Sequence, residues 1–187
     1  MFVSRAGAKL DHALAAFDLD VGGLTCADLG SNTGGFVDCL LHRGAAKVYA
    51  IDAGHGTLEW KLRKDARVVV MERTNAMHVE LPEPVAFISI DVAWTKQKHI
   101  LPAARRMLGG RDGMAIGGEV VSLIKPHYEA DKSLLRKGIL PPERVAEVFR
   151  AVCVDIEKAG FEIIAVTRSP ITGGGGNQEL LTWLKPG

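Results

Sequence analysis

The chain has 187 residues, 47% hydrophobic and 24% charged, with a net charge of +1. That is enough for one globular domain with a full core, and the near-neutral balance excludes nucleic-acid binding through bulk charge. Cys26, Cys39 and Cys153 are odd in number, far apart and without a C-x-x-C spacing, which excludes a disulfide framework and a structural zinc site and points to a reducing compartment.

No signal-like segment and no apolar run of roughly 18 residues occurs, so the sequence predicts a cytoplasmic protein. In chain order, S-R-A-G-A-K-L (4–10) opens a helical pattern over 5–17. The strand LTCADL (24–29) is followed by a helix over 34–43, the strand KVYAID (47–52) and a helix over 57–64. RVVVM (67–71) and AFISID (86–91) read as strands, 96–108 as a helix, EVVSLIK (119–125) as a strand and 142–159 as a helix. FEIIAVT (161–167) and ELLTWLK (179–185) close the chain. Alternating strands and helices predict an α/β, Rossmann-like fold: a mostly parallel seven-stranded sheet with helices on both faces, as a single domain over 1–187. The last two strands are joined by S-P-I-T-G-G-G-G-N-Q, too short for a crossover helix, so the final strand is expected to be antiparallel. The glycine run 173–176 reads as a flexible loop.

D-L-G-S-N-T-G-G-F (28–36) follows a strand and opens a helix. Gly30 and Gly34 let backbone approach a ligand, and the helix N-terminus supplies free N–H donors. The spacing is neither G-x-G-x-x-G nor a Walker loop. Asp28 ahead of the turn would repel a phosphate and suits a ligand with an amine at its near end, such as S-adenosylmethionine (SAM). Asp52 at the end of the second strand can accept ribose hydroxyls. The candidate cofactor contacts are Asp28, Gly30, Ser31, Thr33, Gly34, Gly35, Phe36 and Asp52, joined by Thr74 and Asn75 after the third strand and by Asp91 after the fourth.

Ligands of open parallel sheets bind beyond the carboxyl ends of the strands. The fourth strand ends in Asp91 and the fifth in Lys125; an antiparallel last strand starts at the same edge with Glu179. A lysine ending an apolar strand needs a partner. Lys9, from the helix before the first strand, can cross over that edge.

S-R-A-G-A-K-L, D-L-G-S-N-T-G-G-F, I-D-V, L-I-K-P and G-N-Q-E-L resemble, in order, the motifs of FtsJ-type ribose 2′-O-methyltransferases. G-G-F-V-D-C-L-L, V-V-V-M-E-R-T-N-A and S-P-I-T-G are similar to the TlyA (haemolysin A) branch, a group of ribosomal RNA methyltransferases. The resemblance implies SAM as cofactor, ribosomal RNA as partner, and a catalytic Lys-Asp-Lys-Glu tetrad that falls on Lys9, Asp91, Lys125 and Glu179. That branch usually carries an RNA-binding S4 domain ahead of this module, and these 187 residues hold no counterpart of it. The branch also usually reads S-F-I-S-L after the aspartate and Q-F-E after L-I-K-P; here the segments are A-W-T-K-Q-K and H-Y-E.

In the mechanism expected from charge, Lys125 sits between Asp91 and Glu179, holds the acceptor hydroxyl in line and takes its proton late, assisted by Asp91, with Lys9 and Glu179 setting its charge and orientation. The flanking carboxylates favour a charged lysine; Lys9 and burial oppose it, and the sequence leaves the starting state open. Arg5, Trp94, Lys96 and Tyr128 are the expected substrate contacts, with His127 beside them. Trp94 would stack on a base, and W-T-K-Q-K-H (94–99), R-R-M-L-G-G-R (105–111) and the group Lys61, Arg63, Lys64, Arg67 and Arg73 would track phosphates. Solvated helix faces account for these cations as well. Trp60 and Trp183 are expected in the core, and the scattered histidines predict no metal site. The competing functions are SAM-dependent methylation of a non-RNA acceptor and a non-catalytic SAM- or RNA-binding module.

Overall fold

The computed structural model describes residues 1–109 and 117–187. Helix α1 (Ala6–Ala16) precedes β1 (Thr25–Leu29), α2 (Gly35–His42), β2 (Lys47–Ile51), a single turn α3 (Trp60–Arg63) and β3 (Val68–Met71). The second half runs β4 (Phe87–Ile90), α4 (Gln97–Leu108), β5 (Glu119–Ile124), the short α5 (Pro126–Glu129), α6 (Pro142–Lys158), β6 (Phe161–Arg168) and β7 (Leu180–Pro186). The expected elements therefore form, with ends moved by one to three residues. The turn α5 is additional; Pro126 at its first position suits a helix start, because its missing N–H is one the first turn leaves unpaired.

The sheet order is β3-β2-β1-β4-β5-β7-β6. β1 to β5 are parallel, and β7 inserts antiparallel between β5 and β6. Period-2 side-chain alternation splits the apolar residues into two cores. On one face Cys26, Val48, Phe87, Val121 and Leu181 pack against Leu10 and Leu14 of α1 and Phe36 and Leu40 of α2. On the other, Ala27, Ile51, Ile88, Val120 and Leu184 pack against Ile100 and Leu101 of α4 and Ile156 of α6. Both faces are covered, which is why the central strands read as near-continuous apolar runs.

Two features place the site. The strand order reverses between β1 and β4, so the loops after these strands diverge and leave a crevice at the carboxyl edge. Helix α1 crosses α2 at a glycine pair: a Cβ on Gly7 would lie 2.8 Å from the Gly35 carbonyl oxygen, and one on Gly35 would lie 2.8 Å from the Gly7 nitrogen. Buried Asp38 of α2 accepts from the Val3 N–H at 2.8 Å and fastens the segment that leads into α1. Together these fix where Lys9 stands.

Candidate active site

The turn after β1 is held by β2. Gly30 N and Ser31 N donate to the Ile51 carbonyl at 2.8 and 3.1 Å. Gly30 has φ 88°, and a Cβ there would stand 2.5 Å from the Asp91 carbonyl oxygen, so only glycine lets the β1 and β4 loops meet. Gly34 has φ 98°, and a Cβ would press on Leu62 and Leu58. Asp52 closes the turn from the far side: Oδ2 accepts from Asn32 N at 2.8 Å and Oδ1 from Gly54 N at 2.6 Å. Each oxygen keeps a further lone pair, so Asp52 both locks the turn and can still accept a ribose hydroxyl.

The sequence singled out Asp28 as a direct contact, but the structure buries it completely beneath the turn. Ser89 Oγ donates to its Oδ1 at 2.7 Å, and Oδ2 has no partner among the described residues. Burial pushes the Asp28 carboxyl up to about 8; the Ser89 hydrogen bond opposes this, and the negative Asp91 and Asp52 add to it. A cationic ligand over the turn would favour the ionised form.

Gly35 and Phe36 are also buried, Gly35 against α1 and Phe36 in the core, so they support the turn from behind. Thr33 lends its carbonyl to Glu59 N. Thr74 N donates to the Asp52 carbonyl, and Asn75 Oδ1 accepts from Met77 N, so these two shape the wall of the crevice from β3.

Glu72 has a role the sequence did not reveal. At the end of β3 it accepts from the backbone N–H groups of Gly56, Thr57 and Leu58 and from Arg63, and it faces the His55 ring at 3.2 Å. The hydrogen bond from Gly56, reinforced by those from Leu58 and Arg63, holds its carboxyl down to about 2 against desolvation. Glu72 thus folds the 56–58 loop so that Leu58 and Leu62 cover Gly34. The only sequence signal was a carboxylate placed just past a strand end.

The four tetrad candidates meet at the carboxyl edge. The β5–β7 register Ile124↔Leu180 puts the next residues, Lys125 and Glu179, opposite one another. They form two separate ion pairs. Lys9 Nζ lies 2.5 Å from Glu179 Oε2, with side-chain exposures of 12% and 3%. Lys125 Nζ lies 2.6 Å from Asp91 Oδ1, without hydrogen-bond alignment, and donates to the Val92 carbonyl at 3.3 Å. Lys125 is therefore not shared between two carboxylates, as charge reasoning had placed it. α1 delivers a second lysine, and each carboxylate takes one. Gly173 packs on Glu179, where a Cβ would collide with Oε1.

Beside Lys125, Trp94 is 80% exposed and held at φ 57°, a costly conformation for a bulky residue. Its ring lies 6.0 Å from that of Tyr128, which in turn contacts His127 at 4.1 Å; Lys125 Nζ lies 5.9 Å from the Tyr128 ring. Glu129 ties this corner together, accepting from Gln97 N through Oε1 and from Lys96 Nζ through its carbonyl. Lys96 thus joins α4 to α5. Arg5 is exposed one turn before Lys9 on α1.

Most of the other cations have intramolecular partners. Lys61 pairs with Asp38, Arg63 with Glu72 and Arg67 with Asp65. Arg105 donates to the Gly160 and Gly187 carbonyls and Arg106 to that of Met77. Arg111 lies outside the described residues. Trp60 is not in the core: it is 64% exposed, with Lys64 over its ring at 4.8 Å, because α3 is too short to bury its first residue. Trp183 packs against the α1-side core and stacks on Phe17. Among the described residues no group of three or more His, Cys, Asp or Glu could hold a metal ion, and no helix is long and apolar enough to cross a membrane.

A seven-stranded sheet of this order, with a glycine turn at its switch point, is the fold of SAM-dependent methyltransferases. Fibrillarin from Aeropyrum pernix, solved with SAM bound, shares it at TM-score 0.65 and 18% identity over 96% of this chain and 74% of that one. Over residues 2–186 the sequence matches the family model described as FtsJ-like methyltransferase, and the chain belongs to that family. It is 40% identical to YqxC of Bacillus subtilis over 98% of its own length and 65% of that protein's. To the 16S/23S rRNA (cytidine-2′-O)-methyltransferase TlyA of Mycobacterium tuberculosis it is 38% identical, spanning 98% of this chain and 68% of that one. A solved structure from Lactococcus lactis is 40% identical, with TM-score 0.91 over 98% of this chain and 88% of that one. The chain thus spans about two thirds of the length of the curated relatives it matches.

Proposed function

We propose that this protein is a SAM-dependent methyltransferase acting on a ribose 2′-hydroxyl of ribosomal RNA. The observation that carries the reading is the pair of lysine–carboxylate contacts, Lys9–Glu179 and Lys125–Asp91, at the edge of the sheet that also carries the glycine turn. Family membership and the 38% identity to TlyA support it.

The residues present fit the cofactor. Gly30 and Gly34 let the turn close on the Asp91 carbonyl and on Leu58 and Leu62, Asp52 keeps acceptor capacity for ribose hydroxyls, and the buried Asp28 oxygen without a partner favours a positive charge nearby. Ser31 and Thr33 would line the turn, and Thr74 and Asn75 the wall beside Asp52. When bound, SAM supplies an electrophilic methyl on a sulfonium.

The chain's own work is to align the acceptor hydroxyl and remove its proton. Lys125 Nζ holds the hydroxyl oxygen, and the proton released as the new bond forms passes along the Lys125–Asp91 pair. Lys9 and Glu179, nearly shut off from water, neutralise each other beside it and hold that corner rigid. Trp94 and Tyr128 offer a stacking surface for the acceptor's base, and Lys96 and Arg5, from the starts of α4 and α1, would contact the acceptor strand.

The test is transfer of labelled methyl from SAM to ribosomal RNA and to ribosomal subunits, with Lys125→Ala beside the wild type. Label in RNA from the wild type alone is expected. SAM binding with no label on any RNA substrate would move the acceptor outside RNA.

A further inference from the structure

Between α5 and α6 the chain makes a small excursion that methyl transfer does not explain. Arg136 and Ile139 form a two-residue hairpin, with Arg136 N donating to the Ile139 carbonyl at 2.8 Å and Ile139 N to the Arg136 carbonyl at 3.0 Å. The central residues Lys137 and Gly138 have φ 51° and 80°, the left-handed pair that defines a type I′ turn. Asparagine or glycine is the favoured residue at the first central position. A lysine there accepts backbone strain on the order of 1 kcal/mol, and strain retained at an exposed position points to use of the side chain. Lys132, Arg136 and Lys137 are all exposed, and none forms an ion pair among the described residues. A chain of net charge +1 thus concentrates three uncompensated cations on one short stretch. Of the three, Arg136 borders a cleft of about 370 Å³ whose other charged lining residues are Glu143 and Arg144, the latter paired with Glu147.

The excursion is fastened to the active site by one side chain. Asn177, 3% exposed, accepts from Leu140 N at 2.9 Å and donates to the Gly138 carbonyl at 3.2 Å and the Gly174 carbonyl at 3.0 Å. Its own carbonyl accepts from Gly173 N at 2.9 Å. The loop so closed is the one that packs Gly173 on Glu179, and Asn177 stands two residues before that carboxylate. The hairpin is therefore held in a set position relative to the Lys9–Glu179 pair.

We propose that the Arg136–Ile139 hairpin is a phosphate-gripping arm for the RNA strand that carries the acceptor nucleotide, held at the active-site rim by Asn177; this rests on the RNA reading above. Lys137 and Arg136 neutralise backbone phosphates beside the acceptor, and Lys132 extends the same track. The contacts are blind to sequence and fix where the strand lies.

The test is binding of a fluorescent ribosomal RNA fragment by anisotropy over a fourfold range of salt. Lys137→Asn removes the charge while supplying the residue the turn prefers; Lys137→Asn/Arg136→Ala removes both charges. Each phosphate contact contributes about 0.7–0.9 to the salt slope, or about threefold in affinity over that range. The double variant is expected to bind more weakly at low salt and to lose about tenfold of the wild type's salt sensitivity. Its SAM affinity should match the wild type's, and its melting temperature should be no lower, because asparagine relieves the strain of the turn. Unchanged affinity and slope in both variants, with a wild type that still methylates RNA, would overturn the arm and leave the proposed function standing. A wild type that neither binds nor methylates RNA would overturn both.

Discussion

Replacing Asp28 with asparagine tests the electrostatics beneath the cofactor turn. Asp28 is wholly buried, and its carboxyl is pushed from 3.8 up to about 8. Between those limits the folded protein holds a proton that the unfolded chain releases, so stability falls as pH rises from about 4 to about 8 and levels off above. The slope is about 1.4 kcal/mol per pH unit, or about 3 kcal/mol between pH 5 and pH 7. Asparagine has the same shape, keeps an acceptor for Ser89 and does not titrate. Without cofactor, Asp28→Asn should therefore gain on the wild type as pH rises. At about 2–4 °C per kcal/mol for a chain of this size, the melting-temperature difference should widen by roughly 6–12 °C from pH 5 to pH 7. Differential scanning fluorimetry across that range measures it directly. The same variant should bind SAM more weakly, because the latent negative charge is gone. A melting-temperature difference that stays constant with pH would refute the raised Asp28 carboxyl, and with it the idea that this buried group favours a cation.

Lys125→Ala should slow methyl transfer about 10²–10⁴-fold while leaving SAM binding near wild type, as read by single-turnover rates beside calorimetric titration. Gly34→Ala forces a Cβ into Leu58 and Leu62 at φ 98°, so a loss of about 1–3 kcal/mol in chemical denaturation and weaker SAM binding are expected. Glu72→Gln should loosen the 56–58 loop and raise the KM for SAM while kcat at saturation holds. Because the Glu72 carboxyl is held down to about 2, its contribution to stability is present above the ordinary carboxylate range and lost as pH falls toward 2; the variant should lack that acid-side decline in melting temperature.

Periodicity and strand-end logic made the sheet readable. β-branched runs such as R-V-V-V-M and E-V-V-S-L-I between helical patterns read as strands of a parallel sheet, the first at its edge and the second in its core, and the short link before E-L-L-T-W-L-K forces the last strand to reverse. The same logic brought Asp91, Lys125 and Glu179 to one edge. It did not reveal the pairing, because nothing in the spacing says how far α1 leans across the sheet. That depends on the Gly7–Gly35 crossing and on Asp38 holding Val3, both contacts between distant segments. Glu72 and Glu129 were equally hidden: the first serves backbone N–H groups of the 56–58 loop and the second the N–H at the start of α4, which leaves no periodic trace. Asp28 was legible as acidic but not as buried, and Trp60 as apolar but not as exposed. Asp28 lies on a strand flanked on both sides, beneath the glycine turn, and Trp60 opens a helix of a single turn, and neither placement follows from residue type.

The most direct measurement is nucleoside mass spectrometry of ribosomal RNA treated with the protein and isotopically labelled SAM. A labelled methyl on the ribose of a nucleoside, present with the wild type and absent with Lys125→Ala, is the predicted result. A labelled methyl on a base, or ribose methylation that persists in Lys125→Ala, would contradict the assignment of the two lysine–carboxylate pairs to a ribose hydroxyl.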